Sequence, residues 1–297
     1  MNESFLSGQA REIIIKTGHN LSCCYWSRKI YLECSYRKEP FAVILKDILG
    51  AKKREVSAYV YLNKIMQRGP DKKFIIFATP RSGSNLLRDL LGSHPAVQCD
   101  GELLAYRAFS PRQLIRYQSV LSKKPVYGFK CFLHQCTYDQ AIREPQRFIS
   151  SLHAEGWKVI FLKRSNIVRQ AISHFLARRA GAWNRCTSLP QHEYKKTFIK
   201  VSDFIRYMRL SETWQQDQIK IANAVPCITI EYEKDLLNQH CHQSAADNVF
   251  AYLGIASAPV HTSMRKQADT PLSELIGNYD QIYAVVKKAG YASCLDS

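Results

Sequence analysis

Residues 74–87 read FIIFATPRSGSNLL. Five apolar residues lead into a loop with a proline, an arginine and one glycine, and the first leucines of a helix follow at once. The apolar run predicts a strand over Phe74–Ala78. Leu86, Leu87, Leu90 and Leu91 recur at helical spacing until Gly92-Ser93-His94-Pro95 stops them, which predicts a helix over Asn85–Leu91. A loop that closes directly into a helix start exposes backbone N–H groups and the positive end of the macrodipole. Gly83 lets the backbone approach a ligand, Ser84 and Asn85 can donate hydrogen bonds or cap the helix, and Arg81 brings a fork shaped for an oxyanion. The junction reads as an anion cradle. It lacks the G-x-x-x-x-G-K-[ST] pattern, so no lysine stands at the helix start. That argues against ATP or GTP hydrolysis and against a nucleotide kinase on a related fold.

Working outward, strands are expected at Val126–Phe129, Val159–Leu162 and Cys227–Glu231, and helices at Ile167–Arg178 and Ala245–Leu253. Strands alternating with helices predict an α/β chain with a mostly parallel sheet covered on both faces. Such sheets bind ligands at the carboxyl ends of their strands. A second junction lies in KVIFLKRSNIVRQAISHFLARRAGAW, residues 158–183, with Arg164 just past the strand. Its helix has Ile167, Val168, Ala171, Ile172, Phe175 and Leu176 on the apolar side. Asn166, Arg169, Gln170, Ser173 and Ala177 form an adjacent polar-to-small stripe. Arg164 and Ser173 could both reach a second phosphate, while Arg178 and Arg179 read as solvated surface. Residues 1–70 differ in character and end at the break Arg68-Gly69-Pro70-Asp71. They are read as an N-terminal extension of unassigned role, ahead of a main domain over 71–297.

The whole chain has 297 residues, 46% of them hydrophobic, and a formal charge of +17. This is enough sequence for one sizeable core with an extension. The charge calls for an anionic partner: a polyanionic cofactor or substrate, nucleic acid, or an acidic membrane surface. A basic nucleic-acid- or membrane-surface-binding protein is therefore the rival class, supported by Lys52-Lys53-Arg54. Against it, no nucleic-acid-binding motif occurs and the arginines of interest follow strands. No apolar run reaches membrane-spanning length and the N-terminus does not read as a secretory signal, so a cytoplasmic enzyme is expected. The ten cysteines show no C-x-x-C pair, and His240-Cys241-His242 lacks a second ligand cluster. Reduced thiols and no metal are the reading.

These motifs together resemble the sulfotransferases that use 3′-phosphoadenosine 5′-phosphosulfate (PAPS). The family's P-[KR]-S-G-[ST]-x-[LFW] segment, which holds the 5′-phosphosulfate, stands here as Pro80-Arg81-Ser82-Gly83-Ser84-Asn85-Leu86. Its later strand-R…S segment, which holds the 3′-phosphate, is matched by Arg164 and Ser173. The Arg…Gln-Ala-Ile-Ser form and the downstream Trp183 are most similar to the bacterial carbohydrate branch, of the trehalose 2-sulfotransferase and Nod-factor sulfotransferase types. ITIEYEKDL, 228–236, is similar to the strand leading into Y-E-x-L and adds Tyr232. KQADTPLSELIGNYDQ, 266–281, is similar to the segment near the nucleotide and adds Lys266 and Gln267. The cytosolic-type R-K-G-x-x-G loop is missing, which weakens the transfer of adenine-side contacts to Arg265, Lys266 and Gln267.

The resemblance covers roughly residues 72–285 and implies a P-loop-like three-layer fold with helices flanking a mostly parallel sheet. It implies PAPS as co-substrate, adenosine 3′,5′-bisphosphate as product, a small-molecule acceptor, and neither a metal nor a nucleic-acid partner. The carbohydrate branch includes homodimers, which leaves a dimer contact through residues 1–70 open. Sulfuryl transfer needs in-line attack, a base and cations, much as phosphoryl transfer does. Arg81 and Lys130, in VYGFKCF, are the expected cations. Glu102, in the segment HPAVQCDGELL read as a loop, matches the family's catalytic glutamate; Asp100 and His134 are the other candidates for the base. The acceptor pocket is expected from 103–125 and 183–212, with Tyr106, Trp183, Tyr194 and Trp214 as aromatic surfaces.

Overall fold

The computed structural model describes residues 69–180, 196–264 and 271–294, all within the compact unit Met66–Ser297. β1 (Lys72–Ala78) is the spine of the molecule. Phe74, Ile76 and Ala78 belong to one core and Ile75 and Phe77 to another, because successive strand residues point to opposite faces. All five are fully buried. The strand therefore has no polar face, which requires layers on both sides.

The other strands are β2 (Val97–Glu102), β3 (Val126–Phe132), β4 (Trp157–Lys163) and β5 (Cys227–Glu231). They pair in the order β2-β3-β1-β4-β5, and every pairing is parallel. The order turns at β1: β2 and β3 lie on one side of it and β4 and β5 on the other. A crevice opens outside the carboxyl ends at such a switch point, where ligands bind in open α/β sheets. On one face pack α1 (Ser84–Gly92) through Leu87, Leu90 and Leu91, and α6 (His242–Leu253) through Ala245, Ala246, Val249, Phe250 and Leu253. The other face is covered by α3 (Pro145–Ala154) and the end of α5 (Val201–Asn223), through Ile149, Leu152, Ile221 and Ala222. A third core joins α4 (Ile167–Ala180), the start of α5, the short α7 (Leu272–Leu275) and α8 (Tyr279–Lys288).

Local chemistry starts and stops these elements. α2 (Pro111–Val120) begins with Pro111 in its first turn and with Ser110 as N-cap, whose side chain accepts from Gln113 N. α6 ends on Gly254, left-handed at φ 71°. β2 was expected as a loop. It is an edge strand with a single fully buried residue, Val97, so it carries no apolar run. Lys130 lies within β3, whereas the sequence suggested a place after the strand.

Residues 1–68 of the N-terminal extension, with Lys52-Lys53-Arg54, lie outside the described residues. So do Trp183, Tyr194, Arg265, Lys266 and Gln267. Among the described residues no helix is long and apolar enough to cross a membrane. Likewise, no group of three or more His, Cys, Asp or Glu could hold a metal ion. The described cysteines are free thiols.

Candidate active site

β1 runs straight into the loop Thr79–Gly83. Arg81 and Gly83 both have positive φ, 63° and 92°. Two left-handed residues so close together turn the backbone sharply just before a helix start, where backbone N–H groups can meet an anion. For arginine this conformation costs about 1–3 kcal/mol and persists only where its surroundings over-determine it. They do so here. Ser82 Oγ donates to Thr79 O at 2.7 Å. Gln170 Nε2, from α4, donates to Thr79 Oγ1 at 3.0 Å and also to Pro80 O. Arg164 Nη1 donates to Arg81 O at 2.8 Å. Ser82 is fully buried, so its hydroxyl staples the loop from within. Leu86, in the first turn of α1, is partly buried against the core that this helix covers.

Arg81 itself reaches across to α4. Its Nε and Nη2 both donate to Ser173 Oγ, at 3.1 and 2.9 Å. The expected 5′-side cation and 3′-side serine thus touch each other. The second junction sits directly against the first. Arg164 follows β4 at once, and its guanidinium stacks on the Tyr232 ring at 4.5 Å. Tyr232 also covers Gly83, where a methyl group would collide with the ring. Burial pushes the Arg164 pKa below its ordinary value, opposed chiefly by Tyr232 and Glu233. Glu233 Oε1 lies 3.6 Å from Arg164 Nε, an ion pair longer than a hydrogen bond. The same carboxylate accepts from Ser165 N at 2.9 Å and Asn166 N at 3.0 Å.

A third cluster forms at the ends of β2 and β3. The β2 register slips between Asp100 and Glu102, which brings Glu102 opposite Lys130. Bulges of this kind re-aim side chains beside active sites. Lys130 is 2% exposed. Its Nζ donates to Glu102 Oε1 at 3.1 Å and to Asn85 Oδ1 at the start of α1. Burial lowers the pKa of this ammonium and Glu102 pulls it back up. Glu102 Oε2 accepts from Gln135 Nε2 at 2.9 Å. Gln135 opens a π-helical turn, Gln135–Asp139, and its side-chain Oε1 accepts from Phe132 N. Three expected residues, Asn85, Glu102 and Lys130, are therefore one hydrogen-bonded unit, with the Glu102 side chain 38% exposed.

The other candidates for the base are differently employed. Asp100 accepts from Tyr127 OH at 2.7 Å and from Gln98. His134 stacks between Phe132 and Trp214, with centroids at 5.6 and 5.3 Å. Sequence reasoning missed the roles of Gln135, Glu233 and Gln215, whose Nε2 holds Arg164 O. Gln170 was placed on the polar stripe of α4 without its anchoring role. It also missed His174, which stacks on Tyr207 at 4.0 Å. Burial first, then Arg81 and Arg178, lowers the His174 pKa to about 4.

No family model matches the chain. It is 22% identical over 240 residues to nodulation protein H of Rhizobium meliloti (strain 1021), covering 75% of this chain and 94% of the relative. It is 26% identical over 229 residues to nodulation protein H of Rhizobium tropici, covering 70% and 87%. Among solved structures it is similar to a sulfotransferase from Alicyclobacillus acidocaldarius, with TM-score 0.43 and 14% identity over 77% of this chain and 95% of that one. It is also similar to mouse sulfotransferase SULT7A1 complexed with PAP, with TM-score 0.38 and 12% identity over 77% and 85%. The resemblance to the Nod-factor type read from the motifs is borne out by the nodulation relatives.

Proposed function

We propose that this chain is a PAPS-dependent sulfotransferase that sulfates a hydroxyl or nitrogen of a carbohydrate, glycolipid or other small-molecule acceptor. The observation that carries the reading is the contact between the two strand–helix junctions. Arg164 grips the carbonyl of Arg81, and Arg81 grips Ser173. A nucleotide with two separate phosphate groups fits such a pair, whereas one anion would need only one junction.

PAPS supplies an activated sulfuryl group on a phosphate leaving group. The nest at Arg81–Gly83, the start of α1 and Arg81 hold its 5′ side, while Arg164 and Ser173 hold the 3′-phosphate. Lys130, almost fully buried, places a cation where negative charge builds during transfer. Asn85 ties Lys130 to the helix that faces the donor. Glu102 takes the acceptor proton; its two oxygens are fixed by Lys130 and Gln135, and part of the side chain remains open to a substrate. Lys266 and Gln267 are proposed for the adenine side and residues 1–70 as a separate extension, in a cytoplasmic enzyme with no nucleic-acid partner.

Thermal stabilisation tests the reading. A ligand that binds only the folded state stabilises it by RT ln(1 + [L]/Kd). Adenosine 3′,5′-bisphosphate should raise the melting temperature clearly, AMP far less, and Arg164→Ala should erase the difference. An equal response to ATP would favour the kinase reading. No response to any nucleotide, together with salt-sensitive DNA binding, would favour the basic-surface reading.

A further inference from the structure

The segment ITIEYEKDL places two residues of opposite character against Arg164. Tyr232 lies under the flat of the guanidinium and Glu233 lies at its Nε edge. Glu233 does more than pair a charge. Its carboxylate takes the backbone N–H groups of Ser165 and Asn166, the residues immediately before α4. Asn166 Oδ1 then accepts from Arg169 N, which completes the cap of that helix. The start of α4 is thereby filled by the protein's own side chains. Anion recognition at this junction falls to side chains, Arg164 foremost.

Arg164 is well placed for that task only if its plane is fixed. One face is covered by Tyr232, Nη1 is committed to Arg81 O, and the backbone carbonyl is held by Gln215. Glu233 provides the remaining anchor and is itself tied to the backbone N–H groups of Ser165 and Asn166, just ahead of α4. A carboxylate locked in this way holds the guanidinium much as outer partners hold a ligating side chain at other anion and metal sites.

We propose that Glu233 is a positioning residue for recognition of the nucleotide's 3′-phosphate, acting through Arg164. This inference rests on the sulfotransferase reading above, and it concerns binding of the bisphosphate rather than chemistry. Glu233 itself would not touch the nucleotide. Its loss should therefore cost affinity only for a ligand that has a 3′-phosphate.

Isothermal titration of the whole chain with adenosine 3′,5′-bisphosphate and with AMP separates the outcomes. Glu233→Ala should weaken the bisphosphate about tenfold or more, the scale of one hydrogen bond to a charged group. It should leave AMP within about twofold. Glu233→Gln, which keeps an acceptor for one of the two N–H groups, should recover part of the loss. Asn166→Ala is the control for a weakened helix start: it should lower the melting temperature and preserve the preference for the bisphosphate. Equal losses for both nucleotides in Glu233→Ala, or the same lost preference in Asn166→Ala, would overturn the proposal. Tighter bisphosphate binding in Glu233→Ala would overturn it too, because Glu233 would then be a competing internal anion. If the unaltered chain binds neither nucleotide, the sulfotransferase reading fails first and this inference falls with it.

Discussion

The two strand–helix junctions share a plan and solve it in opposite ways. Both follow a central strand, and both bring an arginine and a serine to the carboxyl edge of the sheet. At the first, α1 starts from a left-handed glycine that has no side chain with which to cap it. At the second, α4 starts from Asn166 and Glu233, whose side chains take three backbone N–H groups between them. On the proposed reading, one junction offers its backbone to an anion from outside. The other has supplied its own carboxylate, Glu233, and on the same reading would meet its ligand through the braced Arg164 guanidinium. Two phosphates on one molecule therefore need not be held by the same kind of machinery.

Glu102→Gln should produce the largest effect and sharpen the comparison by leaving both junctions alone. Turnover on the first acceptor found by radiolabelled sulfuryl transfer should fall by about 10²–10⁴, the range for loss of a general base. Affinities for the bisphosphate and for AMP should not change, which calorimetry would show; a parallel loss of affinity would tie Glu102 to nucleotide binding and remove it as the base. Next comes Gly83→Ala, aimed first at the nest and, through Tyr232, at the ring that backs Arg164. It forces a side chain into φ 92° and against Tyr232. Both nucleotides should weaken by about a hundredfold, equivalent to about 2.7 kcal/mol. If only the bisphosphate weakened, the nest would belong to the 3′ side and the comparison would be reversed.

The smallest expected effect is on stability. His174 stays neutral in the fold down to about pH 4, against an ordinary value of 6.5. The unfolded chain takes up that proton first as the pH falls, so stability is lost between about pH 6.5 and 4 and is fully present above that window. His174→Phe keeps a ring against Tyr207 and removes the titration. Between pH 7 and 4.5 its melting temperature should drop by about 5 °C less than that of the unaltered chain. Matching curves would show that the Arg81 side of α4 carries no such penalty.

What was legible in the sequence is what is local. The β1 run, the punctuated loop and the leucine spacing of α1 are all contiguous, and the observed elements differ from the expected ones by a residue or two at their ends. Arg164 and Ser173 were found the same way, from a strand end and a helix stripe. β2 escaped because an edge strand with one buried position has no hydrophobic period to detect. α5 escaped altogether, as Ser211 and Gln218 are buried on its inner side and break the apolar stripe. The braces escaped for a different reason. Glu233 meets Ser165 from 68 residues away, and Gln170 meets Thr79 from 91. No pattern within a window joins residues that far apart. The motif around Tyr232 marked the place, but only the fold shows what its glutamate holds.

Tyr232 has a consequence of its own. One ring rests on the glycine of the nest and under the arginine of the clamp, so neither junction has an independent wall. On the proposed reading, a change that resized the pocket at one phosphate would shift the ring and be felt at the other. Altering the donor preference of this protein would then require paired substitutions, and single steps toward a different nucleotide would lose grip on both of its ends at once.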